Sequence, residues 1–189
     1  MDDRTDPTAS GRVRDPRRGS VDIARARPAS GREIGSGRGT AAVTWRLFSG
    51  LGPLGALPTV PRLARTYTAS VLGGWGLGGV VEESQAVVSE LATNAVHAAT
   101  GEDGGPVYSS DGRLPVVWVR LMTDLVVLGI EVWDTLPSAV GVPVLRHAAP
   151  DDESGRGLEI VASLSIDWGW ESVPAMGGKR TWALLAAAA

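Results

Sequence analysis

Residues 90, 94 and 97 place an acid, an amide and an imidazole within one largely apolar stretch. Glu90 and Asn94 are four residues apart, and His97 follows three residues later. In an α-helix this spacing puts all three side chains on one stripe. Apolar neighbours such as Leu91 and Ala95 would form the buried face, so a helix over residues 80–99 could pack on a sheet and present the acid and the amide at its edge. A solvated polar edge is the alternative interpretation of this helix taken alone.

A second candidate is Asp134, which directly follows an apolar strand. At a strand end its carboxylate could accept a hydrogen bond from an exocyclic amine of a ligand, or it could cap a turn. Further along the chain, the pattern Gly-Lys-x-Thr ends at Thr181 and leads into the last predicted strand. By itself this pattern predicts an ordinary hairpin turn.

A third candidate is the glycine-rich stretch over residues 154–158. Gly155 and Gly157 flank Arg156 and precede a short apolar helix. The unpaired N–H groups and partial positive charge at a helix start favour a phosphate, and a guanidinium adds a cation for the same oxygens. The same sequence is also compatible with an ordinary turn.

The other patterns indicate the elements that must position these residues. Alternating apolar residues predict strands, and a 3.6-residue period predicts helices. Residues 50–58 and 101–115 are predicted as loops, and residues 137–154 as a long loop of the kind that often forms a functional lid. The predicted strands cover residues 42–48, 116–122, 125–133, 165–171 and 180–185, and further helices begin near residues 59 and 157. This order predicts an α/β sandwich of the α+β class, with a mixed, mostly antiparallel sheet covered by helices on one face.

Composition divides the 189 residues into a tail and one domain. Residues 1–40 contain few large apolar side chains and are predicted to be disordered. Nine arginines and six acids give this tail a net charge of +3, against −6 for residues 41–189, which are predicted to form the domain. The charge excess is too small to predict direct nucleic-acid binding. The chain has no cysteine and only two histidines, which argues against a zinc enzyme, and it shows no apolar run of membrane-spanning length, so a cytoplasmic protein is expected.

The order of the motifs resembles the GHKL ATPases, a superfamily with a Bergerat-type ATP-binding fold. Within it, residues 42–185 are most similar to the anti-sigma-factor serine/threonine kinases and their actinobacterial relatives. The combination is specific, whereas each motif alone is not. The resemblance implies bound ATP and Mg²⁺, with Asn94 as the Mg²⁺ ligand and Glu90 as the general base that accepts the hydroxyl proton of a partner serine.

The resemblance also implies contacts with the rest of the nucleotide. Asp134 would accept from the adenine amino group, and Thr181 would approach adenine, usually through water. Phosphate would be bound by Gly155, Arg156, Gly157 and Leu158, with the preceding loop as a lid. His97 is interpreted as structural, and Leu136 stands where the family usually has a glycine that admits the purine.

The resemblance thus implies a kinase that phosphorylates an anti-sigma-factor antagonist, binds a sigma factor and thereby regulates transcription; a homodimer is left open. Phosphoryl transfer needs mainly charge neutralisation and an aligned nucleophile, which this residue set could supply. The alternative is a catalytically silent ATP-binding module that acts through protein contacts. A detached sensor-kinase domain ranks last, because the chain has no helix hairpin carrying a phosphoacceptor histidine.

Overall fold

The computed structural model describes residues 44–108, 112–136, 156–173 and 177–187, together with the backbone of Ser10–Arg12. This part of the chain forms three α-helices and six strands. The helices are α1 (Val60–Gly74), α2 (Val81–Ala98) and α3 (Gly157–Leu164), and the strands are β1 (Ser10–Arg12), β2 (Leu47–Gly55), β3 (Val116–Thr123), β4 (Val127–Asp134), β5 (Asp167–Val173) and β6 (Gly178–Ala186). The fold is therefore of the α+β class, as predicted.

The strands form one sheet in the order β1-β5-β6-β4-β3-β2. Every pairing between the described strands is antiparallel. The prediction of a mixed sheet was wrong for the described strands. Helices α1 and α2 lie between β2 and β3, which pair antiparallel, so this connection is not a parallel crossover. The central pair is β4 and β6, and it carries Asp134 at its end.

The helices cover one face of this sheet. Ile130 and Val132 of β4, Ala183 of β6 and Val119 of β3 belong to the same buried cluster as the apolar faces of α1 and α2. Helix α1 buries Ala64, Thr68 and Leu72, which are four residues apart and therefore share one face. The core lies between the helices and the sheet.

Helix α2 lies between the other two helices. On one flank, Gln85 donates to the carbonyl oxygen of Arg65 on α1 over 3.2 Å, and the Arg65 guanidinium donates to Ser89 over 2.8 Å. On the other flank, α2 contacts α3. Helix α1 is tied to edge strand β2 by a hydrogen bond of 2.6 Å from the Tyr67 hydroxyl to Ser49. The three helices thus lie side by side across the sheet, from edge strand β2 towards β5.

Several element boundaries differ from the predictions. The first domain strand begins at Leu47 and continues to Gly55 through a stretch predicted as a loop. An edge strand tolerates Pro53 because its outer side needs no ladder donor, and the register shifts between Leu51 and Leu54 as in a bulge. Of the tail predicted to be disordered, the structure describes only β1, which pairs with β5. The predicted lid lies outside the described residues.

Candidate functional site

Glu90 and Asn94 lie along one edge of the buried face of α2. Leu91 and Ala95, each one residue further along, are buried in the core, whereas both polar side chains are half-buried. His97 is exposed in the last turn of the helix. The acid and the amide therefore occupy the border between the core and the α3 side of the helix, as the 3.6-residue period requires.

The first residue of α3 touches Glu90. A Cβ at Gly157 would overlap Oε2 of Glu90 and would lie 3.2 Å from its Cδ. Only glycine permits this approach without movement of the carboxylate. The structure thus brings together the acid of α2 and the helix start that sequence patterns link to phosphate.

Asn94 has an incompletely satisfied side chain. Its amide nitrogen is buried and has no hydrogen-bond partner in the part of the chain that the structure describes. Buried polar atoms are almost always paired in native proteins, so such an atom is a group that a ligand can satisfy. Because Asn94 follows Glu90 by about one helical turn, any such ligand would also lie beside the carboxylate.

Asp134 is the last residue of β4, and it is paired with a lysine. Its Oδ2 lies 2.9 Å from Nζ of Lys179, and the two side chains are only 3% and 2% exposed. Its Oδ1 accepts a hydrogen bond of 3.1 Å from the backbone N–H of Leu136. Burial raises the pKa of Asp134 above its ordinary value, while the charge and hydrogen bond of Lys179 and the Leu136 N–H oppose that rise.

The register of β4 and β6 explains this ion pair. Asp134 is directly opposite Lys179, and Val132 is directly opposite Thr181. Paired residues point to the same face, so Asp134, Lys179 and Thr181 share the helix-covered face with the buried Val132. A Cβ at Gly178 would overlap the carbonyl oxygen of Asp134, so glycine allows the close approach of the two strands here.

The other predicted site residues have different environments. Arg156 is exposed immediately before α3, and its carbonyl oxygen accepts hydrogen bonds from the N–H groups of Glu159 and Ile160. Leu158 is buried in the core, so its side chain anchors the start of α3 and only its backbone could face a phosphate. Gly155 lies outside the described residues. Leu136, at the position where glycine was expected, is also buried in the core.

The contact between Glu90 and Gly157 and the ion pair between Asp134 and Lys179 lie in one layer of the molecule. Helix α2 contacts α3, β4 and β6, so Glu90 with Gly157 and Asp134 with Lys179 are both on the helix side of the sheet. Chemically, this layer offers a carboxylate, an amide, a helix start and a buried ion pair.

Neither the family models that were scanned nor the curated proteins that were searched match this chain. Among the described residues, no three His, Asp or Glu side chains gather into a metal-binding cluster. None of the helices in the described ranges combines the length and the apolar character needed to cross a membrane.

Lys179 carried no predicted role, although the sequence contains a signal for it. It is the only lysine in the 189 residues, and it precedes Thr181 by two positions, which puts both on one face of a strand. What the sequence could not supply was the register that places Lys179 opposite Asp134, because the two residues are far apart in the chain.

Proposed function

We propose that this chain binds Mg·ATP in a Bergerat-type arrangement and phosphorylates a serine or threonine of a partner protein, as anti-sigma-factor kinases do. The observation that carries the proposal is the contact between Glu90 and Gly157. It joins an acid suited to accept a hydroxyl proton to a helix start suited to bind phosphate. The partially unsatisfied amide of Asn94 one turn away supports the same assignment.

The residues present fit a magnesium ion held mainly by the nucleotide. Mg²⁺ prefers oxygen ligands and keeps several waters, so the side-chain oxygen of Asn94 could be its single protein ligand. When bound, the ion would neutralise phosphate charge. The absence of an acidic cluster among the described residues is compatible with this mode of binding.

The chain's own residues would then perform three tasks. Glu90 would take the proton from the attacking hydroxyl. At the same time the hydroxyl oxygen would bond to the γ-phosphorus, and ADP would depart. The N–H groups at the start of α3, with Gly157 first, would bind phosphate oxygens. Asp134 would accept a hydrogen bond from the amino group of the base, with Thr181 beside it on β6.

Two measurements on the full chain test this proposal. Mg·ATP at millimolar concentration should raise the melting temperature, because a ligand that binds only the folded state stabilises it by an amount that grows with its concentration over Kd. In a transfer assay with a copurifying partner protein, Glu90→Gln should abolish phosphorylation and leave the ATP-dependent melting shift intact. Absence of any melting shift in the wild-type chain would overturn the proposal.

The catalytically silent ATP-binding module is the second candidate, and one observation favours it. The Glu90 carboxylate packs directly on Gly157, so it could serve only to hold α3 against α2. In that case Mg·ATP would shift the melting temperature and alter partner binding, but the wild-type chain would transfer no phosphate. The sigma factor and its antagonist are the partners proposed in both cases, and capture from cytosol followed by mass spectrometry would identify them.

A further inference from the structure

The ion pair between Asp134 and Lys179 is unusual because of where it lies. It is almost completely buried, at the last residue pair of β4 with β6, on the side of the sheet that faces α2. Burying two charges is costly even when they are paired, and apolar residues of similar size often serve stability equally well. A buried pair at the edge of a candidate ligand site therefore calls for a role besides stability.

The hydrogen bonds of Asp134 leave it able to accept another donor. An ionised carboxylate has about four lone-pair positions. One oxygen accepts from the N–H of Leu136 and the other from the Lys179 ammonium, as described above. If the carboxyl were protonated, it would instead present an O–H donor, and the chemistry of any ligand group that it selects would change.

Of these two forms of Asp134, Lys179 favours the ionised one. Burial favours the neutral carboxyl group, and among the charged side chains of the described residues Lys179 is the one that acts against it. The neighbouring N–H of Leu136 adds a smaller contribution in the same direction. Without Lys179, the buried acid would take up a proton more readily.

We propose that Lys179 is a positioning residue for base recognition: it keeps Asp134 ionised and fixes one of its oxygens, so that the site selects a purine with an exocyclic amino group over one with a carbonyl group at the same position. This inference rests on the proposed nucleotide site and names its specificity. An ionised, acceptor-only carboxylate binds the amino group of adenine and repels the carbonyl oxygen of hypoxanthine. A protonated carboxyl can donate to that carbonyl oxygen.

The test compares ATP with inosine triphosphate, which differs at this group, by calorimetry with Mg²⁺ on the full chain. The wild-type protein should bind ATP about 10- to 100-fold more tightly, the value of one hydrogen bond to a charged group. Lys179→Met should reduce this preference to about 3-fold or less, or reverse it, by weakening ATP more than inosine triphosphate. Lys179→Arg keeps the positive charge and should retain most of the preference.

Arg180→Met is the matched control. Arg180 is the next residue, is also a buried cation, and points to the opposite face of the sheet, where it pairs with Glu131. This variant should lose stability yet keep the wild-type preference for ATP. A general loss of structure would weaken both nucleotides by the same factor, whereas control of the Asp134 charge changes their ratio.

A measurement on the wild-type chain keeps the test decisive if Lys179→Met does not fold. Because Lys179 is the only lysine, lysine-specific isotope labelling gives one side-chain NMR signal. This signal should move on addition of Mg·ATP and stay in place on addition of magnesium tripolyphosphate, which has no base. An unmoved signal, or an unchanged nucleotide preference in Lys179→Met, overturns the role of Lys179 while the proposed function stands. A wild-type chain that binds neither nucleotide overturns both.

Discussion

Strand β4 carries two buried acids three residues apart, and their surroundings differ because they lie on opposite faces of the sheet. Glu131 lies on the face away from the helices, and Asp134 lies on the helix side. Each is paired with a buried cation of β6, and Glu131 also pairs with Arg120 of β3. The two carboxylates differ in the number of hydrogen bonds that they accept.

Glu131 is held by three side chains. Its Oε1 accepts from Arg180 over 2.7 Å, and its Oε2 accepts from Nε of Arg120 over 2.8 Å and from the Trp133 indole over 3.0 Å. The guanidinium groups of both arginines also lie over the Trp133 ring, at 5.2 and 5.4 Å from its centroid. Arg180 reaches on to Glu171, so the cluster links β3, β4, β5 and β6.

Among the described residues, Asp134 accepts from one cation, Lys179, and from one backbone N–H, that of Leu136. Burial outweighs these two contacts, and the pKa of Asp134 is raised. A carboxylate surrounded by donors can hold a sheet together, whereas one with remaining acceptor capacity can take part in binding. Glu131 therefore links the strands of the sheet, whereas Asp134 keeps acceptor capacity for the ligand proposed above.

Substitution of Glu131 should have the greatest consequence for stability. Glu131→Ala removes the buried carboxylate that pairs with Arg180 and Arg120 and should cost about 3–5 kcal/mol of unfolding free energy, measured by urea denaturation. Glu171→Ala is the matched control, because it removes a carboxylate that is 42% exposed from the same arginine. That variant should cost about 1 kcal/mol or less. Equal losses in the two variants would contradict the central position of Glu131.

A second prediction concerns the contact between Glu90 and Gly157 on the helix-covered face of the sheet. Gly157→Ala should displace the Glu90 carboxylate, because the new Cβ would overlap its Oε2. Since a shift of about 1 Å can cost about 100-fold in rate, phosphate transfer should fall by about that factor. The stability should change little, because the flexible end of Glu90 can move aside.

Gly73→Ala provides the comparison for this substitution. A Cβ at Gly73, in the last turn of α1, meets no atom within 4 Å. Gly73→Ala should raise the unfolding free energy by about 0.5–1 kcal/mol and leave phosphate transfer unchanged. Transfer that is equally active in both alanine variants would show that the contact of Glu90 with Gly157 has no role in the reaction.

The pH dependence of the unfolding free energy should differ slightly between the wild-type chain and Asp134→Asn. Because the pKa of Asp134 is raised from its ordinary 3.8, the folded state binds this proton more tightly than the unfolded state. Its contribution to stability is therefore largest below pH 3.8 and is lost as pH rises through the folded pKa. The unfolding free energy of the wild type minus that of Asp134→Asn should decrease as pH rises from about 4. An increase would contradict the direction of the shift.

The three helices and strand β3 could be predicted from the sequence, because their periods are regular. Helix α2 was expected over residues 80–99 and spans Val81–Ala98, and β3 was expected over residues 116–122 and spans Val116–Thr123. The spacing of Glu90 and Asn94 on one edge of α2 follows from the same period. The local sequence pattern was sufficient to predict elements that depend mainly on residues close together in the chain.

Features that depend on distant residues were not predictable. The Gly and Pro residues of 50–55 indicate a loop until β3 is known to pair with them. The start of β4 at Val127 depends on a turn in which the Asp124 side chain accepts from the N–H groups of Val126 and Val127. Likewise, the pairing of Lys179 with Asp134 depends on the alignment of β4 with β6, which no local period specifies.

Amide hydrogen exchange of the full chain, measured with and without Mg·ATP, locates the proposed nucleotide site. With Mg·ATP, exchange should become slower around Glu90 and Asn94 in α2, in the first turn of α3 and at the end of β4 near Asp134. Exchange in α1 and in edge strand β2 should not change. Protection confined to α1 and β2, or no protection at a saturating nucleotide concentration, would contradict this location of the site.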